Sequence, residues 1–232
     1  MDMWMFLVSC LLTMEVDEKA TVVSFENKSL PSCNQRLVAG LESSVRIGFE
    51  APEGFAGWGS GNYFKMGKHK FIVTAAHVVE EGSVFVLDGE KKVPAEVVYK
   101  NTDRDVAIIV TSSELSIKAK KLKVNDKPNI VGELINYTGY PSNLGKSTYT
   151  GFVSKSDNTA LIMQSFALPG SSGSVVFDKR GRAIGVVSAV KLSPTPLSPY
   201  PELVETIVFI ERIAFIDKEF LREVFMDGHR RR

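Results

Sequence analysis

The sequence predicts an all-β protein, a sandwich or a barrel, ending in a single helix. Two observations carry that expectation. From Leu37 onward, short runs of β-branched and aromatic residues alternate with Gly, Asn, Asp and Pro, the pattern of strands broken by turns. Helical periodicity is clear only near the end, where Phe215, Phe220, Leu221, Val224 and Phe225 can line one face of a helix starting near Asp217.

The individual strands are legible in turn. Val45-Arg46-Ile47-Gly48-Phe49 alternates apolar with polar or small residues. Lys70–Thr74, Val84–Leu87, Val106–Val110 and Ala183–Val187 are short apolar runs of strand length. The polar stretch Leu122–Pro128 divides this β region into two similar halves and reads as a linker. Ser193–Pro201 carries four prolines; proline removes backbone donors, so this stretch is expected to be a loop. The resulting organisation is an amino-terminal extension over 1–36, a first β unit over 37–125, and a second over 126–232 that includes the final helix and a basic tail.

Composition narrows the function classes. The 232 residues are 44% hydrophobic and 24% charged, the mix of a globular protein with a real core. Lys and Arg (28) nearly balance Asp and Glu (27), so there is no electrostatic footprint for nucleic acid. Two cysteines, Cys10 and Cys33, are too few for a disulfide scaffold. No Cys/His cluster has ligand spacing, so no metal site is expected; no cofactor is expected either. The apolar run over residues 3–14 is too short for a standard membrane-spanning helix. It reads either as a targeting or membrane-associating segment or as an element packed on the domain, and localisation stays open with it.

Three short motifs carry chemistry. His77 follows a strand and two alanines in Thr74-Ala75-Ala76-His77; small residues let the backbone turn closely and leave the imidazole at a cleft. Asp105 heads an apolar strand in Asp103-Arg104-Asp105-Val106-Ala107, where a carboxylate can be buried and still reach a neighbour. Asp103 is the competing acid. In Pro169-Gly170-Ser171-Ser172-Gly173-Ser174, glycines flank a serine pair and permit a tight turn. The N–H groups of Gly170 and Ser172 would point into one small space, an oxyanion hole. Three serines leave the nucleophile open on chemistry alone. Together these supply a hydroxyl, a base, a group to orient the base and donors for an oxyanion.

The order His, Asp, Ser is that of chymotrypsin, and from about Leu37 to Phe225 the chain resembles the trypsin-like serine peptidases, most of all compact Deg-type bacterial or viral members. Thr74–His77 resembles the family's TAAH motif, Asp105-Val106-Ala107 its D-[LVI]-A motif, and Gly170–Ser174 its G-x-S-G-G motif, with Ser174 in place of the last glycine. Gly59-Ser60-Gly61, Gly139-Tyr140-Pro141 and Thr150–Ser154 resemble further family segments. The resemblance implies two six-stranded antiparallel barrels packed face to face. It also implies a triad of His77, Asp105 and Ser172 across their junction, and a polypeptide substrate.

The family's pocket frame places Phe166 where trypsin is acidic, with Ser188, Ala189 and Val190 as the pocket wall and the proline-rich loop near the entrance. This implies a preference for small or medium uncharged side chains. Arg36–Gly40 resembles a zymogen activation site, but Ser171 stands where the aspartate that receives the new amino terminus would be. The competing expectations are a catalytically silent module of the same fold and a general esterase; the esterase G-x-S-x-G elbow centred on Ser172 would need glycine at 174.

Overall fold

The computed structural model describes residues 40–50, 56–80, 82–142, 144–194 and 204–230. The apolar run 3–14, Cys10, Cys33, Arg36 to Ala39 and most of the proline-rich stretch lie outside the described residues.

Six antiparallel strands close the first barrel: β1 (Ser44–Glu50), β2 (Ala56–Met66), β3 (His69–Thr74), β4 (Ser83–Asp88), β5 (Lys91–Asn101) and β6 (Val106–Thr111). Their order around the ring is β1-β4-β5-β6-β3-β2, and β2 pairs back onto β1. A two-residue strand, β7 (Lys120–Lys121), adds to β2 in parallel. The second barrel contains β8 (Leu134–Gly139), β9 (Ser147–Ser156), β10 (Ala160–Gln164), β11 (Val175–Asp178), β12 (Ala183–Pro194) and β13 (Val204–Arg212). It closes in the order β10-β13-β12-β11-β8-β9. This is the two-barrel architecture that the resemblance implies.

The apolar runs become strands buried on both faces. Val106 to Ile109 of β6 and Phe71 to Val73 of β3 are fully buried, because one face fills the barrel and the other is covered from outside. Phe177 of the second barrel belongs to the first core, its ring 6.2 Å from that of Phe64. The helix Lys218–Arg230 starts where Asp217 Oδ1 accepts the Phe220 N–H at 2.8 Å, an N-cap. It follows the second barrel in the chain but packs on the first: Phe220 meets Tyr99 edge-on at 4.9 Å, and Phe225 stacks on His69 at 4.3 Å. Aromatic pairs of this geometry add to the burial of their area.

Ser193 and Pro194 are a departure from the expected loop. They continue β12, opposite Glu205 and Val204 of β13. A proline at a strand terminus forfeits only one ladder donor.

The stretch between the barrels is not a free tether. The Leu122 N–H donates to Lys65 O of the first barrel, and Asn125 N–H and Ala183 N–H tie it to the second. Arg212, 3% exposed, fastens its far end. The guanidinium donates to Pro128 O at 2.9 Å, Asp157 O at 3.1 Å and Lys127 O. Replacing Arg212 by Met keeps an apolar stem but leaves these carbonyls without their donor. The variant is expected to lose about 2–4 kcal/mol, read as a lower thermal or denaturant midpoint.

Candidate active site

The His77 segment is a short 3-10 turn, Ala76–Val79, directly after β3. Ala75 and Ala76 are buried while His77 keeps a side-chain exposure of 43%. The Asp105 segment is a turn between β5 and β6. Asn101 Oδ1 accepts the Arg104 N–H, and the Asp105 N–H donates to Thr102 O. Asp105 itself has a left-handed backbone, φ +44°, which Asp and Asn tolerate better than other side chains.

That backbone turn aims the carboxylate back at His77. Asp105 Oδ2 lies 2.8 Å from His77 Nδ1, and Oδ1 accepts the His77 backbone N–H at 2.9 Å. Ring and main chain of His77 are thus held by one carboxylate. Ser188 Oγ also donates to Asp105 Oδ2, at 2.5 Å. Burial pushes the Asp105 carboxyl up, but the hydrogen bonds from the His77 ring, the Ser188 hydroxyl and the His77 N–H outweigh it, and the carboxyl sits below its usual range. Glu211 stands nearby. Burial and then the negative charges of Asp105 and Asp157 push its carboxyl up, with Arg104 opposing.

The segment holding the serines is a turn between the second barrel's β10 and β11. Gly170 (φ +93°) and Gly173 (φ +87°) take left-handed angles. Gly173 also presses so closely on β2 and β3 that a Cβ there would lie 2.1 Å from Ser60 O and 2.3 Å from Thr74 Oγ1. Ser60 N–H donates to Ser172 O at 2.8 Å. The Ser172 backbone is therefore tied to β2 of the first barrel, the strand that pairs with the one leading into His77. Among the described residues, the N–H groups of Ser171, Gly173 and Ser174 have carbonyl acceptors, and those of Gly170 and Ser172 have none.

The remaining candidates separate. Asp103, the competing acid, is exposed. Ser171 is buried, and its Oγ accepts the Leu168 N–H. Phe166 is 53% exposed; its carbonyl accepts the Tyr137 hydroxyl at 2.6 Å, and its ring lies 6.0 Å from Tyr149. Ala189 is exposed, and the side chain of Val190 lies outside the described residues. Ser188, expected only as pocket wall, turns its hydroxyl to Asp105. Sequence pattern carried no signal for that bond, which spans 83 positions and two barrels.

Residues 59–186 match the family model described as a trypsin-like peptidase domain. The chain belongs to the trypsin-like peptidase family. It is 34% identical over 149 residues to serine proteases described as HtrA-like from several Staphylococcus aureus strains, including USA300 and NCTC 8325. The match covers 55% of this chain and spans about a fifth (19%) of the length of those relatives. Among solved structures, the active form of the Rv3671c protease from M. tuberculosis aligns with a TM-score of 0.62 and 21% identity. It covers 78% of this chain and 80% of its own. A serine endoprotease from Yersinia pestis aligns with a TM-score of 0.66 and 19% identity, over 86% of this chain and 69% of its own. At these identities the two structures establish the shared fold.

Ser174, at the position where the family motif has glycine, is buried, and its hydroxyl has no hydrogen-bond partner among the described residues. A buried hydroxyl without a partner carries its desolvation cost uncompensated. Ser174→Ala is expected to hold or raise stability, by about 1 kcal/mol, measured by denaturant unfolding. Asp105 gives a second expectation. Its folded-state pKa is depressed, so its stabilisation is complete above the unfolded value of 3.8 and is lost as pH falls through the folded value. The stability advantage of the parent over Asp105→Asn should therefore shrink below about pH 4, in melts recorded across that range.

Proposed function

We propose that this chain is a serine endopeptidase in which Ser172, His77 and Asp105 form the triad. The observation that carries the reading is the paired hydrogen bonding of Asp105 to both the ring and the main chain of His77. A carboxylate held ionised on Nδ1 fixes the tautomer that leaves Nε2 free to accept a proton. Ser172 Oγ attacks the substrate carbonyl carbon while His77 takes the hydroxyl proton. Asp105 stabilises the imidazolium, and Ser188 holds the carboxylate in place. The oxyanion settles between the Gly170 and Ser172 N–H groups. His77 then returns the proton to the leaving amine, and water repeats the sequence on the acyl-enzyme. The serine proteases described as HtrA-like support the same reading.

The pocket is assigned to Phe166, Ser188, Ala189 and Val190. No acidic side chain stands at 166 to pair with a substrate Lys or Arg, and Phe166 is half exposed beside Tyr149. This favours small or medium uncharged side chains before the scissile bond.

A fluorophosphonate probe should label the parent and not Ser172→Ala; equal labelling of both would remove Ser172 from its role. Asp105→Asn, which keeps a side chain suited to the left-handed turn, should lower turnover by about 10⁴-fold while the fold is retained. A peptide library varied at the residue before the cleavage point should give Ala-, Val- or Leu-type preferences. Strong selection of Arg or Lys would reject the pocket assignment.

A further inference from the structure

The two N–H groups assigned to the oxyanion are left free by what happens to the neighbouring carbonyls. All described peptide bonds are trans, so the C=O and N–H of each peptide group point in opposite directions. Fixing a carbonyl therefore fixes the next residue's N–H. Four consecutive peptide groups are fixed in this way. Pro169 O accepts the Ser142 N–H at 2.7 Å and the Ser142 hydroxyl at 3.2 Å. Gly170 O accepts the Ser60 hydroxyl at 2.7 Å. Ser171 O accepts the Ser174 N–H at 3.1 Å, and Ser172 O accepts the Ser60 N–H at 2.8 Å.

The first of these groups is the vulnerable one. Gly170 can adopt either sign of φ at little cost. A half-turn of the Pro169–Gly170 peptide would bring Pro169 O to where the Gly170 N–H now points. An oxygen there would repel the oxyanion. Ser142 is what opposes that turn, and it does so from a left-handed backbone, φ +42°, unusual for serine. The Ser142 segment is itself held by Ser60. The buried Ser60 hydroxyl accepts the Tyr140 N–H at 2.8 Å as it donates to Gly170 O. One hydroxyl of the first barrel thus joins the Tyr140–Ser142 turn to the Gly170 loop.

We infer that Ser142 and Ser60 are positioning residues that keep the Gly170 N–H turned into the oxyanion site, Ser142 directly through Pro169 O and Ser60 by holding Tyr140 N, and with it the Ser142 turn, while it fixes the following peptide group through Gly170 O. The inference rests on the peptidase reading above. Neither residue touches the reacting atoms; both act through the orientation of one peptide group. Ser142→Ala keeps the N–H but loses the hydroxyl and places alanine in a left-handed conformation it disfavours. Ser142→Gly loses the same hydroxyl but accepts that conformation freely.

The test is steady-state kinetics of the full chain and its variants on a peptide substrate. It is paired with inhibition by a peptide aldehyde, whose tetrahedral adduct needs both N–H donors. Removing an oxyanion donor outright costs about 10²–10³-fold in turnover, and misorienting one should cost about 10- to 100-fold. Ser60→Ala and Ser142→Ala are expected to lose kcat in that range with KM held, and to weaken the aldehyde by the same factor. Ser142→Gly should recover most of what Ser142→Ala loses. Melting curves above the assay temperature separate this from unfolding, and the Ser142 pair decides the matter if Ser60→Ala does not fold. A parent labelled by the fluorophosphonate with both alanine variants at parental kcat overturns this inference alone. So does a loss carried in KM, or one that tracks the melting temperature. A parent that is not labelled overturns the peptidase reading and this inference with it.

Discussion

The structure depends on a seam of hydrogen bonds at the junction of the barrels, and Ser60 lies at its centre. Its N–H donates to Ser172 O, its carbonyl accepts the Thr74 hydroxyl at 2.7 Å, and its own hydroxyl links Tyr140 N to Gly170 O. Every polar group of this one residue is spent across or beside the junction. Two positions away on β2, the buried Asn62 does related work. Its amide donates to Gly40 O and Ser43 Oγ, and its Oδ1 accepts the Val175 N–H just after the serine turn. The placement of Ser172 relative to the His77 segment is thus set by bonds from the Ser60 N–H and hydroxyl and the Asn62 side chain to the main chain around the serine turn. Such precision suits a reaction in which small displacements are costly. Gly173 is the steric condition for it, since any Cβ there would push Ser60 and Thr74 apart.

The same junction concentrates unfavourable features that the surrounding fold holds in place. Asp105 and Ser142 are the described non-glycine residues with positive φ, and both lie beside the assigned triad and oxyanion loop. A partly buried carboxylate, a nearby Glu211 with its own raised proton affinity, and the orphaned Ser174 hydroxyl stand within the same region. Strain and imperfectly compensated polar groups of this kind persist where the scaffold over-determines them. Here the scaffold is two closed barrels with dense apolar cores, so local costs at the junction cannot be relieved by opening a sheet edge.

Much of the fold was legible because strand alternation and turn residues are local signals. The Val106–Val110 and Lys70–Thr74 runs, and the helix starting beside Asp217, could be placed from neighbours within a few positions. The three chemical motifs were legible for a similar reason: each is short and pinned by small residues beside it. The hydrogen bonds that make a site of them were not. Ser188 reaches Asp105 over 83 positions, and Ser60 reaches Gly170 over 110; serine is too common for either to stand out by type. The continuation of β12 through Ser193 and Pro194 was hidden because proline argues against a strand locally, whereas its pairing with Val204 is decided by the partner strand.

Backbone and side chain carry separate tasks around the assigned pocket as well. The Tyr137 hydroxyl holds the Phe166 carbonyl, and Tyr137 stacks on Tyr149 at 5.2 Å with Phe166 beyond it. The main chain at 166 is thereby fixed from the second core, whatever side chain stands there. An acid at that position would bring charge to an existing platform without rearranging it. Phenylalanine instead leaves an exposed apolar ring against Tyr149. The assigned triad is held by hydrogen bonds at the barrel junction, whereas the assigned pocket rests on a main chain that the Tyr137 hydroxyl holds independently of the side chain at 166.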